Sequence, residues 1–306
     1  MLIPQQEAKD AIDRWAICNI MDLPKNFLGN CIDDVIVPSG DGNLGVLNKV
    51  SSLYLMGHHT QKIRDSKNVK GKDLGNIRFK LSFGLNNVGP EFIKVMPILR
   101  VFYENDPLLD FSFLESSSGF GGDKPKYIKG DIAVGTGAYQ VPQSYLELVS
   151  STWRDLKLSK IEDVFTARVL NGLSIRPDLS RLLGYVISRN TNSNIYHMLV
   201  KYLFGEDTDF ELLFIGFHFG IDLNKMERSD LFGYVTVIEL RLKPKADHGF
   251  SAEELLTQPP YHHLIFDPSA EVNILSTQMN PKLEEEEETV QVLYQYLHPC
   301  PSTCNF

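Results

Sequence analysis

The chain has 306 residues, 43% of them hydrophobic and 23% charged, with 30 Lys/Arg against 39 Asp/Glu and a formal net charge of −9 at pH 7. That composition belongs to a chain that buries a core, and it excludes a disordered polymer and a collagen-like one. The acidity disfavours a dedicated coat for duplex DNA but leaves room for a local basic face.

The charge is uneven. Residues 1–150 hold 16 Lys/Arg against 17 Asp/Glu (−1), residues 151–306 hold 14 against 22 (−8), and five of those acids form the single run Glu284 to Glu288. The four cysteines, Cys18, Cys31, Cys300 and Cys304, sit at the two ends without the spacing of a disulfide framework, which fits a reducing, cytoplasmic setting. The opening Met1-Leu2-Ile3-Pro4 soon meets Glu7 and Asp10, unlike a secretory signal. The longest apolar run, Leu212 to Ile221, is about half of the roughly 20 residues a spanning helix needs, so no membrane span is expected.

In chain order, Pro4 to Leu23 places Ala8, Ala11, Ile12, Trp15, Ala16 and Asn19 at helical spacing, with Pro24 closing the segment. Turn formers at Pro38-Ser39-Gly40-Asp41-Gly42-Asn43 lead to a strand at Val50 to Met56. Asn76 to Leu85 is the clearest strand: Ile77, Phe79, Leu81 and Phe83 alternate with Arg78, Lys80 and Ser82, one face apolar and the other basic. Further strands are expected at Phe92 to Tyr103, Leu108 to Leu114 and Tyr127 to Val134, with Pro97 marking a bulge or an edge.

At Gln143 the apolar period changes from two to 3.6, and four helices are expected between about 144 and 205. The first two open on the capping boxes Ser144-Tyr145-Leu146-Glu147 and Ser159-Lys160-Ile161-Glu162. A third starts near Pro177 and carries Leu179, Leu182, Leu183, Val186 and Ile187; a fourth carries Ile195, Met198, Leu199, Tyr202 and Leu203. Leu212 to Ile221 fits either a buried strand or a short buried helix. Leu231 to Lys243 alternates as a strand, and Ser251 to Leu256 suggests a short helix. Asn280 and Pro281 open a C-terminal helix whose stripe is Val290, Leu293, Tyr294 and Leu297. The class that results is α+β: a β-rich N-terminal half, a helical block inserted at about 144–205, further strands and a C-terminal helix. A single domain over 1–306 with a helical arm at 281–306 is preferred to a split near 142, because Leu231 to Lys243 makes a poor sheet alone.

Few residues carry recognisable chemistry. Between His58 and Lys80, the cations Lys62, Arg64, Lys67, Lys70, Lys72, Arg78 and Lys80 face only Asp65 and Asp73 (7 − 2 = +5). This is the clustering phosphate neutralisation needs, although a lysine-rich connector is the simpler account. Phe79 and Phe83 point the other way, so contact with an RNA backbone is expected rather than base reading.

The glycine cluster Ser116 to Lys124 fails as a P-loop because Pro125 follows the lysine, and Gly135-Thr136-Gly137 lacks a third glycine. No nucleophile elbow or zinc helix is present, and no cofactor is expected. Asp230, Glu239 and Arg241 resemble the acid pair and nearby cation of metal nucleases, with Arg where a lysine would stand; Glu239 beside Arg241 and Lys243 also reads as a solvated strand face. His298, Cys300 and Cys304 with His262-His263 make a poor zinc set, so no metal is expected. His218, in an apolar run, reads as a hydrogen-bonded core residue.

The function expected is that of a non-catalytic, self-assembling protein with sequence-nonspecific binding of single-stranded RNA, as viral structural or replication-compartment proteins have. Its homo-oligomer would form through the arm residues Val290, Leu293, Tyr294 and Leu297. The alternatives are a metal-dependent phosphoryl-transfer enzyme using Asp230, Glu239 and Arg241, and a cytoplasmic adaptor binding through Gln258-Pro259-Pro260-Tyr261.

Overall fold

The computed structural model describes residues 1–19, 22–29, 48–64, 72–88, 93–113, 132–133, 143–169, 178–187, 189, 193–204, 210–227, 232–244, 262–266, 273–278 and 292–293. In chain order the elements are β1 (Leu2–Ile3), α1 (Gln5–Ile17), β2 (Leu28–Gly29), β3 (Asn48–Lys49), β4 (Ser52–Met56), α2 (Gly57–Arg64), β5 (Ile77–Leu85), β6 (Val95–Tyr103), β7 (Asp106–Ser112) and β8 (Ile132–Ala133). Then follow α3 (Gln143–Asp155), α4 (Ile161–Phe165), β9 (Thr166–Val169), β10 (Asp178–Ile187), α5 (Ser193–Phe204), β11 (Phe210–Ile221), α6 (Leu223–Met226), β12 (Tyr234–Pro244), β13 (His262–Phe266), β14 (Asn273–Gln278) and β15 (Val292–Leu293). The mixture of helices with mainly antiparallel sheets is the α+β class expected.

Among the described residues the larger sheet runs β1-β7-β6-β5-β10-β14-β15, with β9 also on β10. A second runs β4-β11-β12-β13-β8. Their apolar faces meet. Phe79, Leu81 and Phe83 of β5 and Leu99 and Val101 of β6 share one buried cluster with Ile215, Phe217 and Phe219 of β11 and Tyr234, Ile238 and Leu240 of β12. Phe83 stands edge-on to Phe217 and Tyr234, with ring centroids at 5.9 and 5.3 Å. This spacing and tilt favour aromatic pairs. Packing leaves a void of about 10 Å³ among Leu81, Leu99, Phe113 and Ile215, room for one water at most.

Helices cover the outer faces. The stripe Ala8 and Ala11 of α1 lies on Met96 and Ile98 of β6, and the small alanines bring the helix close enough that Gly84 of β5 is needed beneath it. Trp15 reaches past this face into the main core, stacking on Phe83 at 5.0 Å and donating Nε1–H to the Leu182 carbonyl. α3 lays Leu146 and Val149 on Val235 and Val237 of β12, and its Trp153 donates Nε1–H to the Val50 carbonyl at 2.7 Å.

Three expectations are corrected. The segment from Asp178 to Ile187 is a strand, β10, between β5 and β14; the 144–205 block therefore has helices at its two ends and strands in its middle. Two neighbours and two covered faces remove the alternation that marks a half-buried strand, and a register shift between Leu182 and Gly184 scrambles what remains. Pro97 stands neither at an edge nor at the β6–β7 register shift, which falls at Val101/Phe102; β6 is central, and Pro97 contributes only its carbonyl, to Phe113 N–H. In the C-terminal segment the described pair Val292–Leu293 is extended and paired with β14, where a helix was expected; Val290, Tyr294 and Leu297 lie outside the described residues. The ambiguous run Leu212 to Ile221 is strand, within β11. No helix among the described residues is long and apolar enough to cross a membrane.

Candidate functional site

The best-defined charged surface is the outer face of β5 and β6. Antiparallel register sets Arg78 opposite Phe102 and Lys80 opposite Arg100, so side chains from the polar positions of both strands share one face. Phe102 lies under two cations: Lys80 Nζ is 4.8 Å and Arg100 Cζ 5.1 Å from its ring centroid. Lys72 Nζ stands 4.1 Å over the neighbouring Tyr103 ring, and Arg78 donates to Asn105 Oδ1 at 3.4 Å. An ammonium or guanidinium over a ring face is held by the ring quadrupole while its outer side stays available.

Among the described residues, charge on this face is poorly neutralised around Lys80. Burial pushes the Lys80 ammonium below its usual range, and Arg100 and Arg78 push it further in the same direction. Arg100 has a partner, Asp110, at 2.9 and 3.5 Å through Nε and Nη2. Burial raises the Asp110 carboxyl, opposed by that arginine. An anion arriving above Phe102 would meet Lys80, Arg78 and the open side of Arg100.

Of the seven cations expected to bind nucleic acid, Arg78 and Lys80 are thus placed together on the outer face of β5 and β6, while Lys72 stands over Tyr103, which the register puts with Ile77 on the opposite face. Lys62 and Arg64 fall on α2, which packs on β11 and α5, and Lys67 and Lys70 lie outside the described residues. Arg100 and Phe102 were missed. The alternation Ile98-Leu99-Arg100-Val101-Phe102 contained the signal, since Leu99 and Val101 fix the buried face and leave Arg100 and Phe102 on the other.

The second polar centre is on the outer face of β11 and β12. His218 Nε2 and Glu239 Oε2 are 2.7 Å apart, with Glu239 only 2% and Arg241 4% exposed. The solvated-face reading of Glu239 and Arg241 is therefore wrong: both are buried, on the face of β12 whose Val235 and Val237 are covered by α3. The pair fits because Gly216, opposite Glu239 in the register, has no side chain; a Cβ there would stand 2.8 Å from His218 Nε2 and 3.2 Å from Glu239 Oε2. The Tyr54 ring packs edge-on to His218. His218 is the hydrogen-bonded core residue expected. Asp230 lies outside the described residues, as do Gln258-Pro259-Pro260-Tyr261 and His298, Cys300 and Cys304; among the described residues no group of three His, Cys, Asp or Glu converges as a metal site.

No protein-family profile, no curated protein and no solved structure matches this chain.

Proposed function

We propose that the chain is a non-catalytic protein that binds single-stranded RNA through its phosphates on the outer face of β5 and β6, and that it self-associates through its C-terminal arm. The observation that carries the reading is Lys80, half-buried on the Phe102 ring with Arg100 and Arg78 as the charges acting on it among the described residues. A phosphate supplies the missing counter-charge, and a desolvated cation gains more from it than one fully in water. Phe102 is 8% exposed and lies under two cations, so it offers no open ring for base stacking; the backbone contact is sequence-nonspecific. The Glu239–His218 contact supports a structural role for that carboxylate, in keeping with a non-catalytic protein.

The test is binding of a labelled single-stranded RNA followed by fluorescence anisotropy across a salt series. Replacing Lys80→Glu with Arg78→Glu should weaken binding at least about tenfold near 100 mM salt and lower the salt slope by about one to two units, since each lost phosphate contact removes about 0.7. Unchanged affinity in a variant whose circular dichroism matches the parent overturns the assignment.

A further inference from the structure

The basic face and the acidic run Glu284 to Glu288 belong to one chain, and the larger sheet brings their anchor points near each other. Val292 of β15 is in register with Leu275 of β14, Leu275 with Gly184 of β10, and Gly184 with Ser82 of β5. Ser82 is two residues from Lys80 on the same face of β5. Three inter-strand spacings and two residues of rise put the backbone of Val292 roughly 16 Å from that of Lys80. Backwards from Val292, the chain reaches about 14 Å by Glu288 and about 20 Å by Glu286. Several of the glutamates can therefore meet Lys80 with both strands in place.

Charge selects the same pairing. Five adjacent carboxylates repel one another and gain most where cations lack counter-ions. Among the described residues, the acids on or beside the face are engaged or peripheral. Asp110 is bonded to Arg100, Asp73 accepts from Gly75 N–H, and Glu104 and Asp106 stand at the β6–β7 turn. Among the described residues, the charges acting on Lys80 are Arg100 and Arg78.

We propose that the outer face of β5 and β6 is the docking site for the chain's own acidic run, Glu284 to Glu288, which competes there with RNA phosphates. The docking site is the one assigned to RNA above, so the competition rests on that assignment while the docking does not.

Two measurements on the full chain separate them. The first is carbodiimide coupling, which joins a carboxylate directly to a lysine amine, followed by peptide mass spectrometry. The expected product links Lys80 to a peptide containing Glu284 to Glu288. Its absence overturns the docking, and so does a product found only between heavy- and light-isotope copies mixed before coupling, because the occupant is then a second copy. The second is RNA binding by the variant carrying Glu284→Gln through Glu288→Gln together. Its affinity should rise about five- to twentyfold near 50 mM salt and converge on that of the parent near 500 mM. Equal affinities at low salt overturn the competition. If neither protein binds RNA, the RNA assignment and the competition fall together, while the coupling result still decides the docking.

Discussion

Glu239 and His218 lie 2.7 Å apart with little access to water. Removing one member of such a pair leaves the other buried without its partner, which costs more than the pair contributes. Glu239→Ala should therefore lower stability by about 2–4 kcal/mol, read as a shift in the urea midpoint. A fully folded Glu239→Ala protein that had lost a metal-dependent RNA cleavage activity would return the site to the nuclease reading.

Lys49 shows the cost of burial on its own. Its Nζ donates to the Leu156 carbonyl and stands 5.0 Å over the Trp153 ring, and burial lowers its pKa from 10.5 to about 8 against an opposing pull from Asp155. The folded chain thus loses this proton before the unfolded chain does. Between pH 8 and 10.5 the unfolded chain binds more protons and stability rises with pH. Below that window both states carry the charge and the burial penalty is felt in full. Lys49→Met should melt closest to, or above, the parent at pH 7 and fall behind it by pH 10; parallel melting curves across that range would show that the lysine titrates normally.

At the scale of elements, α1 and β5 come close enough that Gly84 and Ala11 determine the fit. A Cβ built on Gly84 stands 3.0 Å from Ala11 Cβ. Ala11→Leu adds three carbons where there is no space, and should cost about 1–3 kcal/mol in chemical denaturation, whereas the exposed Lys9→Ala should cost almost nothing. The same helix was legible in the sequence, because a one-sided stripe against a sheet leaves a 3.6-residue period. β5 and β12 were legible too, through their period of two, although burial of Glu239 on β12 was not, since a charged residue facing a covering layer alternates just as one facing water does. β10 was misread for the opposite reason. With strands on both sides and Gly184 at a φ of +149° marking the irregular step, its apolar residues fell by chance at helical intervals, and the only contrary signs were that glycine and the β-branched Val186-Ile187. The basic site was half legible: Arg78 and Lys80 are local in sequence, but their meeting with Arg100 and Phe102 depends on the register of another strand.

Across the whole molecule, aromatic rings tie the sheets and helices together. Trp153 stacks on Phe219, Phe165 on Tyr234, and Trp15 on Phe83, joining α3, α4 and α1 to β11, β12 and β5. The C-terminal arm is attached differently, by backbone pairing of Val292–Leu293 with β14 at the end of the larger sheet. A two-residue pairing contributes little by itself and can be made equally well by an identical chain, which is how strand exchange builds dimers without a new interface. Self-association through the arm requires that exchange, so removing residues 281–306 should lower the mass seen by light scattering behind size exclusion to that of a single chain, while the full chain runs as an oligomer whose mass rises with concentration. A deletion that leaves the mass unchanged, or a full chain that stays single at high concentration, removes the arm as the assembly element and leaves its acidic run with the cis role alone.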